Sequence, residues 1–169
     1  LEKAFEARND WYNLPSVAED SPLSFLNEIW PLFINTLPKL AYDPNPLVNE
    51  YQSTRISLPR DEGEDRRREG GFMEAIHCAV ISLVKNEQGE FISFFNKNLA
   101  NPFMLIHRLL AQGLFHLVEA NPEMVFNYLT EDSKRLGIGN YEDSFKESKM
   151  LINKVIPFLD QPSKEKLEQ

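Results

Sequence analysis

Two stretches of this chain carry the same apolar pattern 34 positions apart. Phe72, Ala75, Ile76, Ala79, Val80 and Leu83 correspond to Ile106, Leu109, Leu110, Gly113, Leu114 and Leu117. A second face follows in each copy: Phe91, Ile92, Phe94 and Phe95 against Val125, Phe126, Tyr128 and Leu129. A repeat of this length made of two helices marks an α-solenoid, in which a hairpin hides its apolar face by stacking on its neighbours. The pattern therefore predicts an all-α fold, with helical hairpins stacked as a short solenoid. It is tetratricopeptide- or HEAT-like in length and hairpin logic, although the usual tetratricopeptide aromatic and alanine positions do not line up. In the second copy, residues 103–119 leave one polar strip about 80° wide, made by Arg108, Gln112, His116 and Glu119. A helix with so little polar surface belongs in the middle of a stack. Ala79 and Gly113 occupy equivalent places, and glycine costs up to about 1 kcal/mol against alanine inside a helix. A glycine there predicts a tight helix crossing.

The flanks read less evenly. A short helix over Leu1–Arg8 is followed by an aromatic turn, Trp11 to Pro15. Asp20, Ser21 and Pro22 supply an N-cap and a proline at the first helical position. Phe25, Leu26, Ile29, Trp30, Phe33, Leu37 and Leu40 then recur at helical spacing. Pro31 and Pro38 interrupt them, each costing on the order of 3 kcal/mol in an unadapted helix, which predicts a kink at Pro31 or two shorter helices. Residues 42–71 form an irregular insertion. It opens on the turn Asp43 to Pro46, and Tyr51 to Leu58 alternates weakly as a short extended piece would. Positions 59–71 then mix five acidic residues with four arginines. Such a segment cannot bury apolar area and reads as a mobile or only locally helical connector. Farther along, 86–89 is a turn and Asn121-Pro122 opens a helix over 122–135, ended by Gly137 and Gly139. Ser144 and Glu147 have capping-box spacing ahead of a face made by Phe145, Leu151, Ile152, Val155, Ile156 and Leu159. A further helix begins after Pro162. The whole, 1–169, reads as a single helical-repeat domain excerpted from a longer chain.

Composition narrows the function classes. With 42% hydrophobic and 26% charged residues the chain is of ordinary globular type. A net charge of −8 disfavours a nucleic-acid backbone as partner, because phosphate contacts need a basic face. No apolar run is long enough to span a bilayer. Cys78 is the sole cysteine and suits a reducing cytosol. His107 and His116 face opposite sides of one helix, and no metal-ligand spacing, nucleophile elbow or phosphate-binding loop occurs. His107 alone leaves the polar strip, so a histidine hydrogen-bonded at a helix contact is expected there. Trp30, Phe94, Phe95 and Phe115, like Trp11 and Tyr12, read as core rather than contact. No catalytic residue, cofactor or metal ligand is assigned.

Order and spacing add a family likeness. Asp10-Trp11-x-x-Leu14-Pro15 and Ser21-Pro22-x-x-Phe25-Leu26-x-x-Ile29-Trp30-Pro31-Leu32-Phe33 come first. Asn121-Pro122 and Tyr128-Leu129-x-x-Asp132-x-x-Arg135-Leu136-x-x-Gly139 follow. Over roughly 10–157 the succession resembles the helical-repeat region of large bacterial STAND NTPases, among them the AVAST-type antiviral proteins. The resemblance implies a cytoplasmic sensor for a viral protein, attached to an ATPase whose P-loop this chain does not carry. On this reading the chain recognises protein without catalysis, touching its partner and the rest of its parent chain. Tyr51, Arg55, Arg66, Arg67 and Arg68 are the expected contacts. Two other roles stay open: an architectural spacer within a multidomain protein, and an enzyme with an unrecognised site.

Overall fold

The computed structural model describes residues 13–42, 51–54, 58, 71–140 and 142–167. They are mostly helical, with almost no strand. In chain order the helices are α1 (Leu14–Asp20), α2 (Pro22–Leu40), α3 (Phe72–Asn86), α4 (Gln88–Asn98), α5 (Met104–Leu117), α6 (Pro122–Glu131), α7 (Lys146–Val155) and α8 (Gln161–Leu167). Short 3-10 turns, Ser133–Gly137 and Ile156–Phe158, follow α6 and α7. The expected helix at Leu1–Arg8, the residues Trp11 and Tyr12, the turn at 43–46 and the charged stretch 59–70 lie outside the described residues.

The two copies of the repeat both fold as helices. All twelve positions of its first face are buried, six on α3 and six on α5. They face each other because α3 packs along α5. Neighbours in the chain continue the contact: α1 and α2 lie against α3, α4 against α3 and α5, and α7 against α5 and α6. On the second face Phe91, Phe95, Val125, Tyr128 and Leu129 are buried, while Ile92, Phe94 and Phe126 are half-buried. Phe94 meets Trp30 of α2 edge-on at 4.6 Å, and its counterpart Tyr128 meets Phe95 of α4 edge-on at 5.5 Å. Trp30 also donates from Nε1 to Oδ1 of the buried Asn98 at 2.9 Å, satisfying both groups.

Gly113 leaves room on α5 for the Phe91 ring of α4. A Cβ there would press into the Phe91 ring, with Cζ at 2.6 Å, and Phe91 is fully buried. We expect Gly113→Ala to destabilise the chain by up to about 2 kcal/mol, overpacking strain of about 1–3 kcal/mol less about 1 kcal/mol of regained helix propensity. Urea unfolding reads this directly. Phe91→Leu combined with Gly113→Ala should recover part of the loss, and a Gly113→Ala chain more stable than the parent would rule the steric contact with Phe91 out.

Several local readings need correction. Residues from Leu14 onward are helix, since Pro15 in the first turn has no intrahelical donor to lose. Pro31 and Pro38 do not divide α2, which runs unbroken over 19 residues. Both prolines lie on its exposed side, where carbonyls freed by the missing donors can turn to water. The helix expected over 122–135 stops at Glu131. Asp132 takes an extended conformation there, and its carboxylate caps the following 3-10 turn by accepting from Lys134 N at 3.0 Å. Asn121 caps α6 as expected, accepting from Met124 N. The capping box at Ser144 does not form, because Glu147 turns inward to Arg108 and Phe145 precedes the helix. Phe145 and Ile156 are exposed, leaving Leu151 and Val155 to bury the face of α7.

The insertion is pinned at residues 52–54. Ser53–Thr54 pairs antiparallel with Ala41–Tyr42. Gln52 donates to the Pro102 carbonyl at 2.8 Å and accepts from Met104 N at 3.0 Å. That second bond satisfies one of the amides that the first turn of α5 leaves without an intrahelical acceptor. The extended piece is thus a strap across the start of α5.

Candidate recognition groove

Helical spacing builds one concave feature of about 360 Å³ between the facing sides of α4 and α6. Ile92, Phe95 and Leu99 contribute one wall, three and four residues apart, while Met124 and Tyr128 contribute the other. Phe95 and Tyr128 are buried and form the floor, whereas Ile92, Leu99 and Met124 are half-buried. The rim is polar: Asn96 on α4 and Asn127, Glu123 and Glu131 on α6, all four exposed. No lysine or arginine lines it.

Beneath the groove lies a buried polar network. Tyr128 reaches from the floor to His107, whose Nδ1 is 3.1 Å from the tyrosine oxygen. His107 Nε2 lies 2.8 Å from the Asn101 carbonyl, which can only accept. The proton of the neutral ring is therefore on Nε2, and Nδ1 accepts from the Tyr128 hydroxyl. Both ring nitrogens are used within the fold, as expected for a histidine at a helix contact. Burial pushes the His107 pKa down to about 4. Burial also holds the Tyr128 phenol well above its ordinary value, so it stays a donor. Arg135 closes the network, donating from Nη1 to the Tyr128 carbonyl at 3.0 Å with its guanidinium 4.8 Å from the tyrosine ring centre. Glu131 on the rim is 3.5 Å from that same nitrogen. Ser148 ties Arg135 to α7 by donating to its carbonyl and accepting from Ile138 N, both at 2.8 Å.

Tyr51 belongs to this network. Its ring stacks on His107 with centroids 4.1 Å apart, and the residue is only 6% exposed. Burial, then Asp132, raises its phenol to about 12. The residue expected as an open protein contact is instead the anchor of the strap. Arg55, Arg66, Arg67 and Arg68 lie outside the described residues. Cys78 is half-buried on α3. Among the described residues no group of three or more His, Cys, Asp or Glu side chains is placed to hold a metal ion. No helix among them is long and apolar enough to cross a membrane.

The groove itself escaped the sequence. Its one available signal was an asparagine within each facing helix, Asn96 and Asn127, where asparagine costs some helix propensity relative to alanine. Compared with protein-family models, with curated proteins and with solved structures, the chain finds no match in any of the three.

Proposed function

We propose that this chain is a non-catalytic protein-recognition module, its helical hairpins forming a short α-solenoid. In this reading it contributes to the ligand-sensing repeat region of a cytoplasmic bacterial STAND NTPase whose ligand is a viral protein. The solenoid reading is supported by the chain-order packing of the helices and by the aromatic contact repeated from Trp30–Phe94 to Phe95–Tyr128. The observation that carries recognition is the groove: an apolar floor, a polar rim, and a scaffold of packed helices beneath that keeps it preformed. A preformed site binds more tightly because less ordering entropy is lost on association.

The test uses a phage-displayed library of random dodecapeptides selected on the immobilised 169-residue chain. Two variants interrogate the groove: Met124→Gln, which makes its wall polar without adding charge, and Asn127→Trp, which plugs it from an exposed position. Circular dichroism confirms that both keep their helix content. Recovered peptides that bind the parent and lose at least tenfold on both variants support the reading. Peptides indifferent to both variants, or no enrichment at all, overturn recognition through this groove.

A further inference from the structure

Resting on that reading, we propose that the groove between α4 and α6 takes an extended peptide segment carrying an apolar side chain next to a lysine or arginine. Size is the first constraint. A volume of about 360 Å³ is at the small end of ligand pockets, which run to about 1,000 Å³. It holds one or two side chains rather than a dinucleotide. The floor of Phe95 and Tyr128, with Met124 beside it, offers an apolar seat that can repack around differently shaped anchors.

The carboxamides set the backbone conformation. Asn96 and Asn127 project from opposite walls, are exposed, and make no hydrogen bond within the described residues. Each presents an N–H donor and a C=O acceptor side by side, the complement of one peptide unit. A helical ligand has spent those groups on itself; an extended one still offers them. Charge decides the third feature. Glu123 has no ion pair among the described residues, and Glu131 has only the long contact to Arg135, whose same nitrogen is bonded to the Tyr128 carbonyl. With no cation lining the groove and a chain charge of −8, the local field favours a basic side chain at the rim and disfavours an acidic one.

The same dodecapeptide library reads this out, followed by fluorescence anisotropy on individual recovered peptides. Groove-directed sequences, meaning those lost on Met124→Gln and Asn127→Trp, are expected to place Lys or Arg within two positions of an apolar residue. Changing that basic residue to Glu should weaken binding at least tenfold. Glu123→Gln should weaken it severalfold and flatten its salt dependence. Asn96→Ala and Asn127→Ala should each cost about tenfold while melting temperatures hold or rise, because alanine is the better helix former. Scanning the peptide with proline at non-contact positions should be tolerated, which a helical ligand would not permit. Groove-directed peptides that lack basic residues, ignore both asparagines, or fail the proline scan overturn this inference and leave the recognition reading standing. If nothing recovered is groove-directed, the recognition reading falls and this inference falls with it.

Discussion

Arg108→Met is expected to cost about 3–5 kcal/mol in urea unfolding. Arg108 on α5 and Glu147 on α7 are both buried, and two guanidinium nitrogens, Nε and Nη2, each lie 2.7 Å from the same carboxylate oxygen. The other oxygen, Oε2, is buried with no hydrogen-bond partner among the described residues. Removing the arginine strands a carboxylate that has lost its water and gained nothing in exchange. The double change Arg108→Met with Glu147→Leu removes both charges, and a well-packed apolar pair commonly matches or exceeds the ion pair it replaces. It should therefore recover most of the loss. A double variant as unstable as the sum of the two single variants would show that the residues are not coupled.

Acidification is the second large effect, and it acts through His107. The ring titrates near 4 in the folded chain against 6.5 when exposed, because burial disfavours its charged form. Between those two values the unfolded chain binds a proton that the folded chain does not, so stability falls as pH falls from 6.5 towards 4. The span of about 2.5 pH units corresponds to about 3 kcal/mol at pH 4. Carboxylates begin to contribute only below about pH 4.5, where Glu119, held down by its hydrogen bond to Lys154, comes in first. Asp143, held down by the Phe145 amide and then Lys149, and Asp160, held down by Ser163, add losses below their ordinary value of 3.8. His116, lowered first by desolvation and then by Lys85 and Lys154, acts in the same window but is common to any His107 variant. The measurement is therefore a difference. Unfolding free energies of the parent and of His107→Gln, followed from pH 7 to pH 4.5, should converge by about 2–3 kcal/mol. Parallel curves would mean that His107 is not neutral and buried.

How far each element could be read from the chain depended on whether its cause was local. The 34-residue echo is a statement about which positions are apolar, and burying them requires only that the two helices meet. All twelve positions did so. Gly113 was readable as a close approach because glycine inside a helix is locally unfavourable, and the Phe91 ring that fills the space is the reason it is kept. Asn121 and Pro122 opened α6 as expected, since a cap involves residues three apart. The final helix after Pro162 also formed.

Polar side chains were the harder part. Arg108 reads from the sequence as one member of a polar strip, and its partner stands 39 positions away. Glu147 looked like a helix cap and went to that arginine instead. Tyr51 sat in a weakly alternating stretch and was expected at the surface; it is buried because His107 offers a ring to stack on. Periodicity reports which face of a helix is polar, but not whether that face meets water or a complementary charge.

Local chemistry thus determined from sequence alone that this chain is helical, where most of its helices begin and end, and which faces they bury. Only the tertiary structure decided where the buried charges are paired, that a strap crosses the start of α5, and that α4 and α6 stand far enough apart to leave a groove. The division has a physical cause. Helix formation and apolar burial are set by spacings of three and four residues, whereas an ion pair, a ring stack or a cleft exists only once segments distant in sequence have been brought to within a few ångströms of each other.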